Sequence, residues 1–221
     1  MSVIVKPANP APIGVENVHV ATVTDSTEGV TFGKPRFLSK TLKITLTPVT
    51  NTGMIECDDG VDEEETILSA ITASIELKQL PTWGRQLLLG HGIDADGGIV
   101  TNKDDVAKDV ALLFDVPLSK KKGKKYVVLY KGHFSEPTEE FETAKRDGIT
   151  YKTNTIEGTF YPLEANGDIR YSIRSDDENV SAEKIANWFE EVQVKNGEVL
   201  YYTEPTEPTE QQSGTTEGGE G

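Results

Sequence analysis

Residues Ile71 to Gly98 read ITASIELKQLPTWGRQLLLGHGIDADGG, and the hydrophobic period changes halfway. Ile71, Ala73, Ile75 and Leu77 alternate with Thr72, Ser74, Glu76 and Lys78. A period of two with one polar side predicts an antiparallel strand that covers a core on one face. After Pro81 the apolar residues crowd together, which predicts a short helix over Thr82–Leu89. Gly90 can take the left-handed cap that stops it, and the Asp/Gly run that follows is a turn.

The same alternation recurs along the chain. Leu42, Ile44 and Leu46 oppose Lys43, Thr45 and Thr47, while Ile169, Tyr171 and Ile173 oppose Arg170, Ser172 and Arg174. Further strands are predicted at Val15–Val23, Val110–Val116, Tyr126–Phe134, Thr150–Tyr161 and Glu198–Tyr202. SKKKGKK, Ser119 to Lys125, reads as a hairpin turn between two of them. A second helix is predicted over about Ser181–Val192, where Ile185, Trp188, Phe189 and Val192 fall at i, i+3, i+4 and i+7. Trp83, Leu87 and Leu88 on the first helix and Ile185, Trp188 and Phe189 on the second read as core anchors. The expectation is a mainly β, antiparallel domain with two short packing helices.

At 221 residues, 36% apolar and 27% charged, the chain can bury a substantial core. No apolar run approaches the roughly 18–20 residues that cross a bilayer as a helix. The start, MSVIVKPANPAPIG, does not read as a secretory signal. Cys57 is the one cysteine, which excludes an internal disulfide framework and fits a reducing cytoplasm. The net charge of −15 weighs against gripping nucleic acid, whose phosphates are held by Lys and Arg. Residues 1–13 read as an extended arm, 14–203 as the β domain and 204–221 as an acidic tail. The tail buries too little apolar surface to offset its ordering entropy and is expected to be mobile.

One segment is out of keeping with compact packing. Thr50 to Glu65 joins two predicted strands and has the length of a functional loop. It runs Thr50, Asn51, Thr52, Gly53, Met54, Ile55 and Glu56, then Asp58 and Asp59, then Asp62, Glu63, Glu64 and Glu65 around Cys57, Gly60 and Val61. Seven of these are acidic, and the strand-like GMIEC at its start predicts an extended hairpin projecting from the body.

No reaction chemistry stands out. His19, His91 and His133 lack metal-ligand spacing. There is no G-x-S-x-G elbow. GHGIDA (Gly90–Ala95) matches the letters of a dinucleotide fingerprint, but it follows a helix rather than a strand. DADGGIVTNKDD (Asp94–Asp105) places Ile99 where a calcium loop needs glycine. KKKGKK reads as a solvated turn. The expectation is no enzyme, no cofactor, no metal and no catalytic residue.

Several stretches in one order resemble the major tail proteins of long-tailed, siphovirus-like bacteriophages. They are GVENVHVATVTD (Gly14–Asp25), the strand–proline–helix–turn run above, VALLFDV with KKYVVLY (Val110–Tyr130), NTIEGTFYPLEANGDIRYSI (Asn154–Ile173) and ANWFEEVQV (Ala186–Val194). The resemblance spans about residues 14 to 194. It implies a β-sandwich or rolled barrel with flanking helix and a long projecting hairpin loop, in whose place Thr50–Glu65 falls as a ring or stacking loop, expected to be loosely held in a free subunit and to order against neighbouring subunits. It implies a structural virion protein, assembled in the host cytoplasm, whose homohexameric rings stack into the tail tube for genome ejection. The tape-measure, tail terminator and distal tail proteins are the implied partners, and DNA passes the lumen without specific binding. A β-sandwich adhesion or carbohydrate-binding module is the alternative, and a lipocalin-like carrier a third. The first needs an exposed aromatic platform, while the tryptophans here fall on helices; the two helices and acidic loop weigh against the carrier.

Overall fold

The computed structural model describes residues 10–57, 60–139, 143 and 153–196, with the main chain alone for 54–57, 60–64 and 121. The elements are β1 (Glu16–Ser26), β2 (Gly29–Phe32), β3 (Arg36–Ser39), β4 (Thr41–Cys57), β5 (Gly60–Leu77), α1 (Thr82–Leu89), β6 (Gly92–Ile93), β7 (Ile99–Val100), β8 (Val110–Pro117), β9 (Lys124–Phe134), β10 (Asn154–Tyr161), β11 (Arg170–Arg174) and α2 (Ala182–Ala186). All strands but β6 and β7 join one antiparallel sheet in the order β2-β1-β8-β9-β10-β5-β4. β3 also pairs with β1, at Val18–Val20, and β11 with β9, at Lys125–Leu129.

This sheet rolls because its two borders are covalent neighbours. β3, on one border, passes through Lys40 directly into β4, on the other, and the Lys78 amide donates to the Lys40 carbonyl at 2.9 Å. Every long strand therefore faces one interior. Val20 of β1, Ile75 of β5, Leu112 of β8, Leu129 of β9 and Phe160 of β10 meet there with Leu88 and Leu89 of α1. The mainly β sandwich-like expectation holds. So does α1, which runs from Pro81 to a left-handed Gly90 (φ 80°) as the local signals require. A Cβ on Gly90 would lie 2.4 Å from the Val106 carbonyl oxygen, so glycine is needed for space as well as for φ.

A second core lies on the opposite side of β1, β8 and β9. Ala111 and Leu113 of β8, Val128 and Tyr130 of β9, Leu163 and Trp188 build it, with Tyr171, Ile173 and Phe189 packed alongside. β8 is thus buried on both faces, which is why VALLFDV carries no polar residue before Asp115. One expected face is corrected here. Ile169 precedes β11 and enters the first core, while Tyr171 and Ile173 join the second.

The second helix is also shorter than expected. α2 ends at Ala186, and Asn187 caps it at φ −94°, ψ 7°. Tighter turns follow, with the Trp188 amide donating to the Ile185 carbonyl. The physical reason is Trp188, which the turns deliver fully buried onto the sheet. β10 begins at Asn154; residues 150–152 and the predicted strand Glu198–Tyr202 lie outside the described residues, as does the tail 204–221. Of the residues read as an arm, Ala11 to Ile13 lie beside the end of β8. The Ile13 amide donates to the Pro117 carbonyl and the Ser119 amide to the Ala11 carbonyl.

Candidate assembly surfaces

The acidic segment is strand on both sides, the extended hairpin that GMIEC predicts, so only its reading as a loop without structure of its own is amended. β4 and β5 pair from Thr41 opposite Leu77 to Cys57 opposite Gly60, with register shifts at Thr41/Lys43, Val49/Thr50 and Ile55/Glu56. Acidic residues are poor strand formers, but the register is fixed further back, where Ile44 faces Ile75 and Leu46 faces Ala73 across the core. The ladder then propagates outward. Thr50, Asn51, Thr52, Gly53 and Glu65 are exposed on it, and the Thr52 and Thr66 hydroxyls meet at 3.2 Å. Met54, Ile55 and Glu56 continue β4, and Asp62, Glu63 and Glu64 continue β5. Asp58 and Asp59 lie outside the described residues. Val49, Ile67 and Leu68 sit exposed at the root of the projecting part, with Ile67 and Leu68 on opposite faces of the ribbon.

Two further features bear on assembly. Among the described residues β4 pairs only with β5, so its outer edge presents amides and carbonyls that none of them takes up. Pro48 sits in this edge strand, where a missing amide costs no ladder bond to a neighbour. Beside the edge, the outward face of β4, β5 and β10 is polar. It carries Thr45, Thr47, Thr72, Ser74, Thr155 and Thr159, with Lys43 opposite Glu76 and Glu157 opposite Ser74. Among the described residues no second layer covers it, unlike the outer face of β8 and β9.

Two buried carboxylates hold this sheet in shape. Asp25, at the end of β1, accepts from the Lys131 ammonium at 3.0 Å and from the Glu164 amide at 2.7 Å. Burial works to raise its pKa, but the Glu164 amide and then Lys131 outweigh that and hold the carboxyl below its ordinary range. Asp115 accepts from Asn17 and from Lys124, both at 3.0 Å. Lys124 loses solvation there, yet its bonds to Glu16 and Asp115 raise its pKa above the usual lysine value. His19 stacks on Phe189 at 4.4 Å and meets Phe37 edge-on at 5.5 Å, and burial lowers its pKa. None of these three groupings has a signature in the sequence, because each joins residues distant along the chain.

The anchors divide as follows. Leu88 and Trp188 are fully buried; Trp83 and Leu87 are half-buried against the first core and Phe189 against the second. The Arg36 guanidinium lies 3.8 Å over the Trp83 ring. Ile185 is half-buried and joins neither core, because α2 stops before its stripe is complete. Asp94, in the candidate calcium loop, spends its carboxylate on the Asp96 and Gly98 amides, closing the turn between β6 and β7. His91 is buried with its Nε2 3.0 Å from Glu136. Among the described residues no group of three His, Cys, Asp or Glu side chains could hold a metal, and no helix is long and apolar enough to cross a membrane.

The sequence model of the family described as phage tail tube protein matches residues 11–188, most of the chain. No curated protein matches it.

Proposed function

This chain belongs to the phage tail tube protein family, a structural family of the virion tail, and from that premise we propose that it forms homohexameric rings that stack into the tube. The observation that carries the proposal is the free edge of β4 beside an uncovered polar face. An edge strand is a liability in a monomer and a joint in an oligomer. A head-to-tail contact that closes into a ring satisfies every such edge at once. Joined edge to edge, the threonine-rich face of β4, β5 and β10 turns towards a water-filled bore, while the apolar face stays on the subunit core. Glu76 and Glu157 on that face keep phosphates from adhering, so genome DNA slides through the tube and into the host at ejection. The bore and the two ends of the tube are the places for tape-measure, terminator and distal tail proteins. The subunit acts by shape and assembly rather than catalysis, in a virion whose parts assemble in the host cytoplasm.

Negative-stain microscopy of the purified protein tests this. Rings or hollow tubes are expected. A protein that stays monomeric at high concentration and binds glycans or an apolar ligand overturns it in favour of an adhesion module or a carrier. A reconstructed tube with a basic lumen would end the account of DNA passage.

A further inference from the structure

β8 lies between β1 and β9, and a polar cluster near its end joins all three strands. Asp115 stands opposite Glu16 of β1 on one side and Tyr126 of β9 on the other. Its side chain is 2% exposed. The Oδ2 atom accepts from the Asn17 side-chain amide and from the Lys124 ammonium, both at 3.0 Å. The Oδ1 atom is buried without a partner among the described residues. Glu16 accepts from the same ammonium at 2.9 Å. A carboxamide, an amine and a carboxylate thus meet at one buried oxygen.

A regular strand would not bring them together. Successive strand residues face opposite sides, yet Glu16 and Asn17 both turn to this cluster. The register of β1 shifts between Glu16 and His19, and Asn17 takes the left-handed backbone at φ 54°. Asparagine tolerates that region better than most residues, and bulges re-aim side chains. The surroundings on the sheet side are aromatic. His19 and Tyr126 both feel the Asp115 charge, and both lie against Phe189. At rest Glu16 and Asp115 hold the ammonium charged. Poor solvation narrows the gap between that ion pair and its neutral form, in which the proton sits on Asp115.

We infer that Lys124 and Asn17 join in an isopeptide bond, with Asp115 carrying the proton between them. Asp115 takes a proton from the Lys124 ammonium along their hydrogen bond, and the freed amine attacks Cγ of Asn17. The Nζ–Cγ bond forms, Asp115 returns the proton to Nδ2, and the Cγ–Nδ2 bond breaks. The second Nζ proton follows by way of Asp115, so ammonium departs and the carboxylate is restored. The balance needs no other reactant. The Lys124 side chain is 34% exposed, which leaves the departing group a way to solvent. The reaction happens once per chain and ties β1 to β9 across β8. It closes a long covalent loop from Asn17 to Lys124.

The intact mass of the purified full chain, followed over a long incubation, tests it. The protein should come to weigh less than its sequence by one ammonia. A digest should contain a branched peptide that joins the Asn17 segment to the Lys124 segment. In boiled detergent gels the looped chain should run ahead of Lys124→Arg, which keeps the positive charge beside Asp115 but offers no nucleophilic amine. Asp115→Asn should slow the loss by about a hundredfold or more, the usual worth of a positioned proton carrier. A wild-type chain that keeps its full mass, both as free subunits and in any tubes, overturns the inference. An ammonia loss that survives Lys124→Arg also overturns it, since the change then belongs to an asparagine alone. A loss at the wild-type rate in Asp115→Asn removes the carboxylate from the reaction and overturns the mechanism. None of these results depends on tube formation.

Discussion

Replacing Lys131 by Met should expose how much the sheet depends on its buried ion pair. The Asp25 side chain is 1% exposed and that of Lys131 17%, and the other Asp25 oxygen has no protein partner. Removing one member of a buried pair costs about 3–5 kcal/mol, because the remaining charge stays desolvated. The Glu164 amide still bonds Asp25 in the variant, so the lower end, about 3 kcal/mol, is expected at neutral pH. Glu164 is the contrast. Its side chain is 55% exposed, and Glu164→Gln should cost no more than about 1 kcal/mol. The pH dependence has a definite sign. In the wild type the depressed Asp25 contributes stability above its ordinary value of 3.8, and that is lost as pH falls through the folded pKa. In Lys131→Met the unpaired carboxyl takes up its proton more readily, so the variant escapes its penalty on acidification. Urea denaturation of both proteins at neutral pH and near pH 4 should show the difference narrowing. A penalty under about 1 kcal/mol at neutral pH, or one that stays constant with pH, would refute the reasoning.

Three other outcomes follow from packing and pairing. Deleting Gly53–Glu64 shortens the ribbon beyond the core registers, so the domain should keep its thermal unfolding profile and lose tube formation; normal tubes in stain would count against the hairpin as a joint. In Gly132→Ala the new methyl meets the Thr159 carbonyl at 2.5 Å and the Phe160 ring at 2.6 Å, an overpacking that costs about 2–3 kcal/mol and lowers Tm by about 5–10 °C in calorimetry. Trp188→Ala should cost about 3–5 kcal/mol and raise binding of a hydrophobic dye, since the outer side of Leu113, Val128 and Tyr130 loses its cover.

The parts of the fold legible in the sequence are those whose causes are local. Ile71–Leu77 shows one apolar side because the structure leaves its other side wet, and α1 is bracketed by Pro81 and Gly90. α2 misleads because Ile185, Trp188, Phe189 and Val192 fit a helical stripe, yet Trp188 is placed by turns that answer to β8 and β9. Ile169 misleads likewise, since the chain crosses from one side of the sheet to the other just before β11. The acidic ribbon shows its hairpin only through GMIEC, because the pairing of its acidic return strand is inherited from Ile44 and Leu46 rather than encoded in the tip. The Asp25–Lys131 pair joins the end of β1 to β9, residues 106 positions apart that only the order of the strands brings together. No window along the chain could have displayed them.

The double burial of β8 has a consequence for timing. Both sides are completed late: the inner core takes Ile156, Phe160 and Ile169, and the outer side waits for Trp188, which leaves the ribosome some seventy residues after Pro117. During synthesis the nascent subunit thus carries a bare oily plate, and the rolled sheet behind it lacks its final brace. A chain cut short before Trp188 keeps that plate bare, so it should bind a hydrophobic dye more strongly than the full chain does.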